Sequence, residues 1–404
     1  MLDNDMIEFL TYRNAMKSNY RKGVHALRCI LNNRKQAETF AGSLGGVSLV
    51  LGVSQPDGNS EALRALLEGS AVIDQATLTW LKNWWPEQCG SWDTLAADQG
   101  RCSTIATDPF LWERVGVSPV GAGKILAGLV GQDSRNFAAM QAVAASPVAI
   151  AAIYRSDVAL SAVDSEVSAA ATFYGADSVA IGKAVVILTG LDPAGYADMS
   201  AVAASATAMS AVAANYVALA ALYSNAEALS TAQGTTVGAA ALAGAGSVAT
   251  GKAAVKLAGL DPDDFADMAA VAASSTAMAA VAASATARSA LNGSSVAREK
   301  LKASPLATEI SLVSSQGQYW NNPGTKTMKG LILATKAGNS DNAFSITKID
   351  STSTGASQNT RNAATSGSTG YLDWYEKYPN YAWVTSSITY YAYYTTTKIK
   401  YIPC

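Results

Sequence analysis

Residues 197–215 read ADMSAVAASATAMSAVAAN, and residues 266–287 read ADMAAVAASSTAMAAVAASATA. In each, a methionine and a valine three residues apart return after ten residues. Ten residues of an unbroken α-helix turn through about 1000°, so a Met/Val stripe would rotate by about 80° at every return. Such a stripe cannot keep one seam, and a coiled coil needs a repeat near seven or eleven. The spacing instead predicts short helices, each broken from the last at a serine that serves as N-cap. Ser146-Pro147 carries the same signal, because proline directly after a cap opens a helix. Asp192-Pro193 and Asp261-Pro262 repeat it.

The decamers sit inside a longer repeat. Lys124, Leu129, Gly131, Asp133, Phe137, Met140, Val143 and Ser146 recur in the same order and spacing as Lys183, Leu188, Gly190, Asp192, Tyr196, Met199, Val202 and Ser205. After a somewhat longer interval they recur again as Lys252, Leu257, Gly259, Asp261, Phe265, Met268, Val271 and Ser274. The consensus is G-K-x4-L-x-G-x-D-x3-[FY]-A-x-M-x-A-V-A-A-S. A threefold internal repeat of this kind predicts an array whose neighbouring units bury one another's faces. It covers 116–303, with copies at about 116–160, 175–230 and 245–291. Residues 231–250, TAQGTTVGAAALAGAGSVAT, are Gly- and Ala-rich and read as a connector or loosely packed insert.

Toward the N-terminus, residues 1–40 predict a helical arm. From Thr11 to Lys35 seven cations (Arg13, Lys17, Arg21, Lys22, Arg28, Arg34, Lys35) meet no acidic residue. The next stretch, 36–110, carries nine acidic residues against three basic. The arm reads either as a docking element, with Arg13, Lys17, Arg21, Lys22 and Arg28 as its contacts, or as a solvated face satisfied by the acidic stretch. Residues 41–115 predict a small helical unit. In it Ser60 caps a helix ending at Gly69, and Asp74 caps one that aligns Leu78, Leu81, Trp84 and Trp85 up to Pro86. Its four tryptophans within thirteen residues, Trp80, Trp84, Trp85 and Trp92, read as a core or docking face.

After about residue 303 the composition changes. Residues 329–350, KGLILATKAGNSDNAFSITKID, read as strand, Gly-Asn turn, strand, and 381–404 alternate β-branched and aromatic residues. Residues 304–404 therefore predict a separate antiparallel β-sandwich. The fold class is multidomain α + β: a helical N-terminal unit, a stack of short helices, and a C-terminal sandwich.

Composition limits the function. Only 15% of the 404 residues are charged while 49% are hydrophobic, which suits surfaces that meet other protein. A net charge of -2 argues against nucleic-acid binding as the main task. The long apolar stretches are Ala and Gly broken by Ser, Thr and Asp, unlike the ~20 large apolar residues a bilayer demands. The opening MLDNDMIEFL has acidic residues where a secretory leader has a basic end.

Catalytic motifs find little support. The stretch GSVATGKA at 246–253 approaches a phosphate loop, but Ala253 stands where Ser or Thr must hold magnesium and no apolar strand precedes Gly246. The one histidine, His25, lies in the basic arm, away from any triad. Asp341, Asp350, Asp373 and Glu376 leave a glycosidase pair open on paper, without the repeated β-helix that would carry it. Cys29, Cys89, Cys102 and Cys404 contain no CxxC pair, so no metal site is expected, and Cys89 and Cys102 are either free thiols or a disulfide. No cofactor is implied.

Nine of the seventeen tyrosines lie in 371–404. Trp374, Tyr375, Tyr378, Tyr381 and Trp383 read either as a surface that stacks on sugar rings or a receptor, or as sandwich core and subunit interface.

The Ala-rich stretch at 266–287, with its partners at 197–215 and 138–150, resembles repeats of tail-fibre and appendage proteins of tailed bacteriophages. The ending KIKYIPC is similar to their terminal β domains. The resemblance covers roughly 120–404. It implies a virion location, a homotrimer, contacts with other virion proteins of tail, baseplate, neck or capsid, and a distal domain that binds a host polysaccharide or outer-membrane receptor. A capsid-decoration, neck or adaptor protein is the other role it allows.

Overall fold

A computed structural model describes residues 71–312, 324–336, 344–350, 352–353, 372–373, 375, 382–392 and 397–404. Two compact units divide the chain, Met1–Ala184 and Val185–Cys404. The basic arm, the Ser60 helix and Cys29 lie outside the described residues.

Short helices follow one another with a cap residue every ten positions. Asp98, Asp108 and Ser118 cap the Gln99–Thr107, Pro109–Gly116 and Pro119–Leu129 helices. Ser146 and Ser156 do the same for Pro147–Arg155 and Asp157–Ser165. Ser205, Asn215, Asn225 and Thr235 form the next run, and Ser274, Ser284 and Ser294 the last. Each side chain accepts a hydrogen bond from the backbone N–H two or three residues on, satisfying donors that a helix start leaves open. At Glu166 the decamer spacing holds without a side-chain cap bond.

The cap residue is extended, so the chain turns sharply there. Ala206–Ala214 and Tyr216–Ser224 meet at 103°. Turned in this way, a helix meets the third one after it. Tyr216–Ser224 packs on Ser247–Leu257, which packs on Ala285–Gly293. Ala206–Ala214 packs likewise on Thr236–Ala243, and Met268–Ala273 on Ser295–Lys302. In the first unit Met140–Ala144 packs on Val167–Tyr174. Within each unit the helices are thus wound as a solenoid with about three helices per turn.

The cap side chains also join successive turns. Asn215 accepts from the N–H groups of Val217 and Ala218 through Oδ1, and its Nδ2 donates to the Leu188 carbonyl at 3.0 Å. Ser284, its counterpart in the third copy, accepts from Ala287 N–H and donates to the Leu257 carbonyl at 2.9 Å. Thr235 and Ser304 form a second equivalent pair, donating to the carbonyls of Ala203 and Ala272. Asn215, Thr235 and Ser284 thus each begin a helix and complete the end of an earlier one, while Ser304, which opens a turn before β1, does only the second.

The remaining consensus positions have equally local roles. Gly131, Gly190 and Gly259 adopt φ of +73°, +81° and +74°. The N–H of the residue after each reaches back to the carbonyl of Ala127, Val186 and Val255, closing the helix in a Schellman turn. Asp133, Asp192 and Asp261 then cap a 3-10 turn. Met140, Met199 and Met268, with Val143, Val202 and Val271, are buried almost completely. The glycine of the Gly-Lys pair allows close backbone approach. A Cβ on Gly123 would lie 2.4 Å from Ala139 C, and one on Gly251 2.5 Å from Met268 N.

The unequal spacing of the copies has a simple cause. Met140 and Met199 stand closer in sequence than Met199 and Met268. Yet PVAIAAIYR at 147–155 matches YVALAALYS at 216–224, an offset equal to that from Met199 to Met268. The second copy contains one additional decamer, 206–215.

Three expectations need correction. Residues 231–250 are no loose connector: they belong to the Ala226–Gln233, Thr236–Ala243 and Ser247–Leu257 helices. Their small residues serve close packing, since a Cβ on Gly238 would stand 2.2 Å from the Ala232 carbonyl oxygen. Asp74 is no cap either. It lies inside the Ala71–Leu81 helix and accepts from the Ser118 hydroxyl, while its partial burial raises its pKa. That helix stops at Leu81, so Trp84 is not on its face and is 42% exposed. Trp80 is buried beside Phe110, with the Arg114 guanidinium 4.6 Å from its ring.

The strands form two antiparallel sheets. The first runs β1 (Thr308–Leu312), β9 (Thr397–Pro403), β3 (Gly330–Lys336), β6 (Leu372–Asp373), with β7 (Trp383–Val384) also on β3. The second runs β2 (Gly324–Thr327), β8 (Ser387–Ala392), β4 (Phe344–Ile349), β5 (Thr352–Ser353). The two strands of 329–350 thus go to different sheets and do not pair with each other. Leu331, Ile332 and Leu333 are all buried, as in a strand covered on both faces. The Ser275–Ala283 helix packs on β3 and β9. One hydrophobic cluster runs from Ala254, Met268 and Met278 through Leu301 to Leu331, Ile346, Ile388 and Ile402. The sheets and the last repeat therefore share a core.

Candidate functional site

Of the five aromatic residues expected at a ligand surface, Trp374, Tyr378 and Tyr381 lie outside the described residues. Tyr375 and Trp383 do not present open faces. Tyr375 is fully buried and Trp383 is 8% exposed. Their polar atoms converge on one acceptor in the last repeat: Tyr375 Oη donates to Asn292 Oδ1 at 2.9 Å and Trp383 Nε1 donates to it at 3.1 Å. For these two the stacking surface is corrected to a core position, because an amphipathic ring with a buried polar tip requires a partner. Tyr375 lies outside the strands and both residues of β7 are buried, so strand alternation does not foretell either position.

A groove of about 480 Å³ opens beside this junction, lined by Gln233, Arg288, Asn292, Asp350, Trp383 and Thr385. Asp350, at φ +50°, is its acidic group. Its carboxylate accepts from the N–H and hydroxyl of Thr385 at 2.7 and 2.8 Å, from those of Ser386 at 2.6 and 2.9 Å, and from Ser387 N–H at 3.1 Å. Burial pushes its pKa up, but the donors from Thr385, Ser387 and Ser386 outweigh burial and hold it at about 2. With five donors on two oxygens, this carboxylate locks the Thr385–Ser387 turn. Of the other acids considered, Asp373 pairs with Lys302 at 2.6 Å, and Asp341 and Glu376 lie outside the described residues.

Two of the three Gly-Lys lysines, Lys124 and Lys252, have structural partners. Lys124 Nζ bonds Asp93 at 2.6 Å and the Ser134 carbonyl at 3.1 Å. Lys252 Nζ bonds Asp263 at 2.8 Å and sits 5.6 Å from the Tyr216 ring centroid. The hydrogen bond raises the Lys252 pKa and lowers that of Asp263. Cys89, Cys102 and Cys404 are free thiols, and burial pushes Cys102 up to about 12. Among the described residues no three His, Cys, Asp or Glu side chains gather as a metal site. No single described helix is long and apolar enough to cross a membrane. The docking residues Arg13, Lys17, Arg21, Lys22 and Arg28 lie outside the described residues.

Comparison with protein-family models, with curated proteins and with solved structures gives no match for this chain.

Proposed function

We propose that the chain is a structural subunit of a tailed-bacteriophage particle, a fibre or appendage whose solenoid spaces and assembles it. The supporting observation is the use made of the repeat. Its recurring Gly, Asp, Ser and Met residues all go into caps, turns and core. The resemblance of 266–287 to appendage repeats gives this scaffold its setting. On this reading the N-terminal part attaches to other virion proteins, including further copies in a homotrimer. The C-terminal sheets engage a host polysaccharide or outer-membrane receptor, and the protein performs no catalysis.

Adsorption competition with the purified full chain tests the distal role. Particle binding to host cells should fall as free chain is added. Undiminished adsorption at saturating chain removes the receptor-binding role. The full chain is needed because the sheets share a core with the last repeat.

A second reading, an adaptor, neck or capsid-decoration protein, is favoured by the inward placement of Tyr375 and Trp383. A gold label on Cys404 in imaged particles separates the two. A label at a free tip supports the fibre, and one against the particle body supports the adaptor.

A further inference from the structure

Three stretches of the Val185–Cys404 unit converge on the groove beside Asp350. Gln233 ends the Ala226–Gln233 helix, Arg288 and Ser289 lie in Ala285–Gly293, and Trp383 and Thr385 come from the β region. The two opposite charges of the groove do not meet. The Asp350 carboxylate is taken up by its donors from Thr385, Ser386 and Ser387. Arg288 spends one N–H, on Nη1, at the Ala282 carbonyl and keeps the rest of its donor fork. The Gln233 amide and the Ser289 hydroxyl line the groove with no hydrogen bond of their own. Trp383 has its one polar atom on Asn292, so what it shows the groove is carbon.

We propose that this groove binds a neutral pyranose unit of a saccharide, with Arg288, Gln233 and Ser289 on its hydroxyls and Trp383 against its C–H surface. The inference rests on the reading of the C-terminal region as the host-engaging part and names the place and the ligand class. A sugar hydroxyl donates and accepts at once. The three side chains supply a donor fork, an amide and a hydroxyl, and so answer both needs. The volume of about 480 Å³ lies within the ~300–1,000 Å³ of small-molecule sites. Charge selects a neutral ring. Arg288 and Asp350 offset one another across the groove, and a carboxylate or phosphate on the ligand would meet the Asp350 charge. The donors that hold Asp350 thus have a second effect: they keep it from pairing with Arg288, which leaves that guanidinium to a ligand.

Saturation-transfer NMR on the full chain is the test, with glucose, galactose, mannose and N-acetylglucosamine as probes and glucuronate as the charged control. At least one neutral sugar should bind, with a Kd on the order of 1 mM for a ligand of single-ring size. Gln233→Ala combined with Ser289→Ala removes two groups that bond nothing else, so the fold is kept. It should raise that Kd roughly tenfold, as the loss of two hydrogen bonds does. Arg288→Gln should act in the same direction, and if its lost bond to Ala282 unfolds the chain, the other two substitutions still decide. No transfer to any of the four sugars, a Kd unchanged by the double substitution, or tighter binding of glucuronate than of glucose would overturn the proposal. The two readings fail separately. Failed adsorption competition removes the receptor role and leaves a saccharide groove, whereas failed saturation transfer removes the groove and leaves the receptor role to other surfaces.

Discussion

Removal of one whole decamer, 206–215, should disturb the protein less than removal of one side chain within it. Deletion joins Ser205 directly to Tyr216, the arrangement already present in the first copy, where Ser146 precedes Pro147–Arg155. The packing of Tyr216–Ser224 on Ser247–Leu257 survives, as does that of Met199–Ala204 on Thr236–Ala243. The Thr235 bond to the Ala203 carbonyl also survives. What leaves is one repeating element with its buried Ala208, Met209, Val212 and Ala213, together with the Asn215 cap and its bond to the Leu188 carbonyl, the cap itself being replaced by Ser205. The chain entropy of ten residues leaves with it. At a net folding free energy of about 0.05–0.15 kcal/mol per residue, the loss is roughly 0.5–1.5 kcal/mol. Met209→Ala keeps the element and opens a cavity at a fully buried site, costing roughly 2–4 kcal/mol. Urea unfolding followed by circular dichroism at 222 nm compares the three chains. A nine-residue deletion, 207–215, is the control: it leaves one surplus residue and turns every following side chain by about 100°. The reasoning fails if the ten-residue deletion is less stable than Met209→Ala, or no better than the control.

Gly251→Ala should cost more than about 2 kcal/mol in thermal or urea unfolding, because its Cβ would meet the Met268 backbone nitrogen. Gly259→Ala, at φ +74° in open space, should cost only about 1 kcal/mol, and a reversed order would contradict the packing described. Asn292→Ala removes the acceptor shared by Tyr375 and Trp383 and should destabilise the β region by roughly 2 kcal/mol, with a changed tryptophan emission. Asn292→Asp, which keeps an acceptor, should lose less. The folded pKa of Asp350 lies below its unfolded value, so its stabilisation is full above about pH 4 and is lost as pH falls through about 2. Discounted for solvent screening, it amounts to about 1 kcal/mol. Wild-type and Asp350→Asn unfolding midpoints should therefore converge on acidification, and a constant gap from pH 6 to pH 2 would refute the assignment.

The decamer architecture was legible because capping is local. Serine with a Met/Val pair behind it carries nearly all the information needed to start a nine-residue helix. The partner of each helix was not legible, since stacking on the third neighbour depends on the 103° turn, which no short window encodes. Residues 231–250 misled for a related reason. Glycine and alanine mark loose chain and tight packing alike, and only the neighbouring Ala232 carbonyl tells them apart at Gly238. The aromatic site was half legible. Tyr375 stands outside the strands and both residues of β7 are buried, so period-two alternation cannot sort these rings; Asn292, 83 residues before Tyr375, ties both into the core.

The side chains that join successive turns also set an order of events during synthesis. The end of the helix closing at Leu257 waits for a hydroxyl 27 residues downstream, and Ala272 waits for one 32 downstream. A newly made stretch thus keeps a bare carbonyl until the growing chain has come once round the spiral. Completion then travels behind the point of elongation at a fixed lag, and a chain stopped early has its last turn unfinished.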